Sequence, residues 1–258
     1  MCFDFDAIPP DLPAGLAFGR AAGGAAAEIV ELGSGDGTRF SAAFAGAADA
    51  KSPAVVIYPD VRGLYPFYIR LAERFADAGH HAVAIDYFGR TAGLGPRGEE
   101  FEYIEHVPKT RSSQIQADTD AAIAFVSDRT GEQRAATVGF CFGGGESFLA
   151  ATNEDLDLAG AVGFYAGLDR SKWGLESPKD HATELRRPFL GLFGGADAGI
   201  PVELIEQFDR DLDESGRPHE IVIYPGAPHS FFDRRQDDYA EASEDAWRRT
   251  LDFLQTLE

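Results

Sequence analysis

Positive charge is what this sequence has least of: 23 Lys and Arg stand against 43 Asp and Glu in 258 residues, a net charge of −20, and lysine is scarce even among the bases. Such a surface repels nucleic acid and anionic membranes, so neither is an expected partner. A small anionic substrate would need local arginines to overcome the overall field. Cysteine is almost absent. Cys2 and Cys141 lie far apart and make no disulfide framework, and no Cys/His cluster has zinc spacing, so a cytoplasmic protein with reduced thiols is expected. No apolar run approaches the roughly 18 residues of a membrane span. The start, Met1-Cys2-Phe3-Asp4-Phe5-Asp6, has neither the basic nor the apolar stretch of a secretory signal. A phosphate-cradling Gly-x-x-x-x-Gly-Lys-Ser/Thr loop, internal repeats and low-complexity tracts are missing too.

What remains is a chain with 44% hydrophobic residues, enough for one sizeable core. Residues 1–27, rich in Pro, Gly and Ala, read as an irregular arm, and residues 28–258 as a single domain. Residues 27–32 and 38–44 flank Gly33-Ser34-Gly35-Asp36-Gly37 and read as a hairpin of two edge strands. Continuous apolar runs at 54–58, 81–87, 135–140, 158–165, 188–193 and 220–224 read as strands covered on both faces. Helical periodicity follows at about 68–79, 114–126, 202–212 and 239–257. Residues 99–108 read as loop or short helix, and the connection 167–187 is too short for a large cap domain. Alternating strands and helices imply an α/β fold, a mostly parallel sheet with helices on both faces. Chemistry in such sheets gathers at the carboxyl ends of the strands.

One of those ends carries Gly139-Phe140-Cys141-Phe142-Gly143. The spacing Gly-x-Cys-x-Gly is that of a nucleophile elbow, with a thiol in place of the usual hydroxyl. A tight strand-to-helix turn strains the nucleophile's backbone, and glycines two before and two after remove the Cβ atoms that would collide. The helix after Cys141 points unpaired N–H groups and a positive dipole at the sulfur, the field a thiolate nucleophile needs. A thiol also needs a base, and the base an orienting carboxylate. His229 ends a strand in the Gly/Pro turn Pro225-Gly226-Ala227-Pro228, whereas His80, His81 and His219 begin strands and His106 and His181 lie in polar connections. Asp197 follows the preceding strand in a Gly-rich turn. Cys141, Asp197 and His229 thus occur in the order nucleophile, acid, histidine, the chain order of α/β-hydrolases.

At Gly139-Phe140-Cys141-Phe142-Gly143-Gly144, at residues 194–201 around Asp197, and at Tyr224-Pro225-Gly226-Ala227-Pro228-His229-Ser230-Phe231, the chain resembles the dienelactone hydrolase (carboxymethylenebutenolidase) family. The resemblance extends over most of the chain from about residue 28. It implies an α/β-hydrolase fold and a cofactor-free, metal-free hydrolysis of a lactone or ester, with Cys141 as nucleophile, His229 as base and Asp197 as its orienter. It also implies that Arg90, in Asp86-Tyr87-Phe88-Gly89-Arg90, holds a substrate carboxylate. Asp60 stands where the family has a Glu that contacts the resting thiol, one methylene shorter. Asp233 stands where a second substrate-binding Arg is expected, with Arg234 and Arg235 adjacent. In the expected mechanism the N–H groups of Phe142 and Val61 hold the oxyanion of a thioester-forming reaction. A broader carboxylesterase or thioesterase acting on uncharged esters is the rival enzyme reading. A non-catalytic protein with Cys141 as a redox-sensing thiol is the rival from another class. The oligomeric state is open on this reading.

Overall fold

The computed structural model describes residues 7–12, 26–95, 97–232 and 237–257. Most of the expected arm, including Cys2, and the positions Asp233, Arg234 and Arg235 lie outside the described residues. Eight strands form one sheet: β1 (Glu28–Gly33), β2 (Arg39–Ala45), β3 (Ala54–Tyr58), β4 (Ala82–Ile85), β5 (Ala135–Phe140), β6 (Leu158–Phe164), β7 (Phe189–Gly194) and β8 (His219–Tyr224). Their order is β1-β2-β4-β3-β5-β6-β7-β8. From β4 to β8 every pair is parallel, while β1 and β2 run antiparallel to each other and β2 antiparallel to β4. This corrects one expectation. The hairpin has a single edge strand, β1, because β2 pairs Ala42 with Ile85 and joins the hairpin to the sheet. Phe40 to Ala45 of β2 are all buried, as in a strand covered on both faces.

Period-two side-chain alternation splits β3 between two cores. Val55 and Ile57 pack with Phe67, Leu71 and Phe75 of α1 (Pro66–Asp77). Val56 and Tyr58 pack with Ile115, Ala122 and Val126 of α3 (Ser112–Thr130) on the opposite face. Pro66 pre-sets φ for the first turn of α1, where its missing N–H costs nothing. Gly131, left-handed at φ 83°, stops α3. Beyond α2 (Gly89–Ala92), the helices α4 (Phe142–Thr152), α5 (Val202–Asp213) and α6 (Ala240–Thr256) complete the layers. Phe75 meets Trp247 of α6 edge-on at 4.7 Å, and Phe148 of α4 meets Phe208 of α5 at 4.9 Å. The stretch from Tyr103 to Lys109 forms two short 3₁₀ turns, and the connection 167–187 three more, with no cap domain.

Chain order reverses between β3 and β5: β3 leads outward to β4, β5 outward to β6. A crevice opens outside the carboxyl ends of strands at such a switch point. The loop that starts at Pro59 and the turn at Cys141 both lie there.

Candidate active site

Cys141 sits at the tip between β5 and α4 with φ 57° and ψ −112°, and it is the N-cap residue of α4. A non-glycine residue held there costs roughly 1–3 kcal/mol, so the surroundings must over-determine it. Its N–H donates to the Phe164 carbonyl at 3.0 Å, and its carbonyl accepts from Gly145 and Gly167, each at 3.2 Å. A Cβ on Gly139 would lie 2.0 Å from the Gly143 carbonyl oxygen, and one on Gly143 would lie 2.2 Å from the carbonyl oxygens of Tyr58 and Pro59. Glycine at both places is therefore steric necessity, and the second contact packs the elbow directly against the end of β3. The Cys141 thiol is half-buried and is not in a disulfide.

Asp197 and His229 arrive on the turns after β7 and β8. Gly195 donates to the Tyr224 carbonyl at 2.8 Å and Ala196 to the Ala227 carbonyl at 2.9 Å, which locks the two turns together. His229 Nδ1 lies 2.6 Å from Asp197 Oδ2, and Asp197 Oδ1 accepts from the Gly199 N–H at 2.8 Å. A carboxylate can only accept, so Nδ1 carries the hydrogen and Nε2 is left to take a proton. The Asp197 side chain is 2% exposed and that of His229 32%, so the carboxylate is dry and the imidazole accessible. The segment after His229 folds back across the sheet. Phe232 stacks on Phe140, the residue before Cys141, at 5.6 Å and meets Phe164 at 4.7 Å. Tyr165, at an unusual φ of 35° just past β6, holds its ring 4.9 Å from the imidazole.

Val61 follows the end of β3 and packs, half-buried, against the core that includes Phe142. Its N–H has no acceptor among the described residues. The Phe142 N–H belongs to the first turn of α4, where helical donors have no intrahelical acceptor. Asp60 is fully buried, and Arg62 occupies both of its carboxylate oxygens: the Arg62 N–H and Nε donate to Oδ1 at 2.9 and 3.3 Å, and Nη2 to Oδ2 at 2.8 Å.

Arg90 is held elsewhere. Nη1 and Nη2 grip Asp118 of α3 at 2.7 and 2.8 Å, Nε donates to Asp36 at 2.8 Å, and Nη2 also reaches Ser34 Oγ at 3.0 Å. Hydrogen bonding to Asp118, foremost, and to Asp36 raises the Arg90 pKa against the cost of burial. The same contact from Arg90 lowers that of Asp36, whereas burial outweighs Arg90 at Asp118 and raises it. The expected grip on a substrate carboxylate does not follow from this placement: the guanidinium ties the β1–β2 hairpin to α3. Among the described residues no group of three or more His, Cys, Asp or Glu side chains is disposed to hold a metal ion, and no helix is long and apolar enough to cross a membrane.

With this geometry in view, comparison with known proteins is decisive. The family model of the Dienelactone hydrolase family matches residues 40–258. The chain belongs to the dienelactone hydrolase family. Two proteins named "Putative carboxymethylenebutenolidase" are similar. That of Methylorubrum extorquens is 31% identical over 208 residues, 78% of this chain and 71% of the relative. That of Escherichia coli K12 is 32% identical over 213 residues, 80% of this chain and 78% of the relative. The crystal structure of a "Putative Dienelactone Hydrolase" from Klebsiella pneumoniae superposes with a TM-score of 0.75 at 28% identity, covering 88% of this chain and 99% of that one. The fold is accordingly an α/β-hydrolase fold, and the protein is a hydrolase of carboxylic ester or lactone bonds.

From the sequence Tyr165 reads only as the end of a strand, and Arg62 only as a further candidate, with Arg234 and Arg235, for holding a substrate carboxylate. A signal existed for both, since each follows the carboxyl end of a strand, as Cys141, Asp197 and His229 do.

Proposed function

We propose that the protein hydrolyses a lactone, or an activated enol or aryl ester, by acyl transfer through a thioester on Cys141. One observation carries this reading: a cysteine strained at φ 57° on the elbow, with the His229–Asp197 pair folded back onto the same strand end through Phe232 and Phe140. His229 Nε2 takes the thiol proton of Cys141, Sγ attacks the carbonyl carbon, and the Phe142 and Val61 N–H groups receive the oxyanion; losing one such donor typically costs ~10²–10³ in rate. As the tetrahedral intermediate collapses, the C–O bond breaks and His229 Nε2 hands a proton to the leaving oxygen. His229 then takes a proton from water, the hydroxide attacks the thioester, and the acid leaves as the thiol is regenerated. Asp197 orients the imidazole and stabilises it when charged. A thiolate leaves more readily than an alkoxide, so a poor alkoxide would send the intermediate backward, and an enolate or aryloxide leaving group suits this nucleophile. The names of the relatives support a lactone. A reducing compartment such as the cytoplasm would keep Cys141 competent.

The second reading, an esterase for uncharged substrates, is favoured by one observation: the donors of Arg90 are spent on Asp118, Asp36 and Ser34. Purified enzyme and its Cys141→Ala variant would be assayed on lactones and aryl esters, each with and without a carboxylate. Loss of all turnover in the variant is expected; retention of most of it would contradict the thiol mechanism. Equal rates on charged and neutral substrates would select the second reading.

A further inference from the structure

The elbow helix begins with Phe142-Gly143-Gly144-Gly145, a sequence poorly suited to a rigid first turn. Glycine is the weakest helix former after proline, and three in succession invite fraying. Sterics nevertheless demand small residues there. The Gly143 position abuts Tyr58 and Pro59, and a Cβ on Gly144 would lie 2.8 Å from the Phe164 carbonyl oxygen. The turn that must present the Phe142 N–H and the Cys141 thiol is thus the one whose own residues least define it.

Something outside the turn holds it. Glu146, the only charged residue of α4, is 2% exposed, and its Oε1 accepts from Arg170 Nη1 at 2.6 Å. Arg170 is 4% exposed, in the connection after β6. Its Nε donates to the Glu176 carbonyl at 2.6 Å and its backbone N–H to Ser177 Oγ at 2.9 Å. The guanidinium lies 5.4 Å from the centre of the Phe142 ring, and a Cβ on Gly145 would come within 3.4 Å of Nη1. Three residues earlier in the same connection, the Gly167 N–H grips the Cys141 carbonyl. One short segment therefore touches Cys141, Phe142, Gly145 and Glu146.

We infer that the buried Glu146–Arg170 pair is a brace, two positioning residues that fix the first turn of α4 and so aim the Phe142 N–H at the oxyanion; this rests on the reading of Cys141 and Phe142 given above. The pair is poorly built for stability. It has a single hydrogen bond, and Glu146 Oε2 and Arg170 Nη2 are buried without partners among the described residues. Replacing a buried pair of this kind by apolar residues is often neutral or stabilising for the fold. Stability and turnover should therefore move apart, which a merely structural contact would not allow.

The test is the double variant Glu146→Leu/Arg170→Met. Expected are a melting temperature equal to or above that of the native protein, KM for an aryl ester changed less than about 2-fold, and kcat lower by about 10-fold or more, as displaced catalytic groups lose rate steeply. Amide hydrogen exchange across residues 142–150 of the substrate-free protein should quicken. A folded double variant with native kcat, or with unchanged exchange in that segment, would overturn the brace. If the double variant does not fold, the single variants decide. Glu146→Gln keeps an acceptor for Nη1 and should hold kcat within about 3-fold, whereas Glu146→Leu should not; equal kcat in the two would overturn it. The exchange readout needs no substrate. Native turnover in Cys141→Ala would sink the nucleophile reading and leave the exchange result standing.

Discussion

Two regions at the carboxyl edge of the sheet carry buried charge or strain, and they are built in opposite ways. Around Arg90 nearly everything is satisfied: a bidentate grip on Asp118, a further bond to Asp36 and another to Ser34. At the elbow, bonds are left open. Cys141 is strained, the Val61 N–H has no acceptor among the described residues, and the Glu146–Arg170 pair is half-bonded. A saturated cluster fixes the chain and has nothing left to offer a ligand. An under-bonded one keeps donors that the proposed acyl transfer would use for a charge that exists only during reaction. Arginine at a family position is therefore not enough to assign a substrate contact; the count of its donors already taken decides.

The contrast can be broken most forcefully at the histidine. His229→Ala should lower kcat/KM for an aryl ester on the order of 10³-fold or more, with the melting temperature nearly unchanged, and Asp197→Asn should lose as much or less. His181, a surface residue bonded to Glu184 at 2.9 Å, should be near neutral when changed to Ala. A large loss at His181 with an active His229→Ala would reverse the assignment. Arg90→Met should show the opposite signature. It leaves the carboxylate of Asp118 buried and unpaired, which typically costs ~3–5 kcal/mol, so the melting temperature should fall by roughly 10 °C. Turnover of a neutral ester by the folded variant should persist. A rise in KM for a carboxylated lactone with no loss of melting temperature would instead make Arg90 a substrate ligand.

The smallest effect lies far from the site. His81 is buried, its Nδ1 accepts from the Ala47 N–H at 3.1 Å, and burial lowers its pKa below 6.5. A depressed histidine favours the neutral form in the fold. Its contribution is fully present above the unfolded value near pH 6.5 and is lost as pH falls toward the folded one. Thermal melts at pH 7.5 and 5 should differ less in His81→Gln than in the native protein; an unchanged difference would remove His81 as a cause.

The strands, their parallel sense and the turns bearing Cys141, Asp197 and His229 were legible because each follows from local pattern: apolar runs, glycine spacing, a histidine at a strand end. The hairpin was half legible. Its two strands could be seen, but only pairing distant in sequence, Ala42 with Ile85, shows that β2 is interior. The fate of Arg90 was hidden for the same reason, since Asp118 lies 28 residues away and nothing local marks it as a partner. Glu146 and Arg170, 24 residues apart, would each pass for ordinary surface charges until the fold buries them together. Patterns within one element could be read, whereas ion pairs between elements could not.

The central claim is a thioester on Cys141, and the direct measurement is mass spectrometry of enzyme quenched in acid during turnover of a hindered aryl ester such as a pivalate, whose acyl group should leave slowly. The expected result is one acyl group per chain, on the peptide carrying Cys141 and released by neutral hydroxylamine. Turnover with Cys141 unmodified, or the acyl group on another residue, would contradict it.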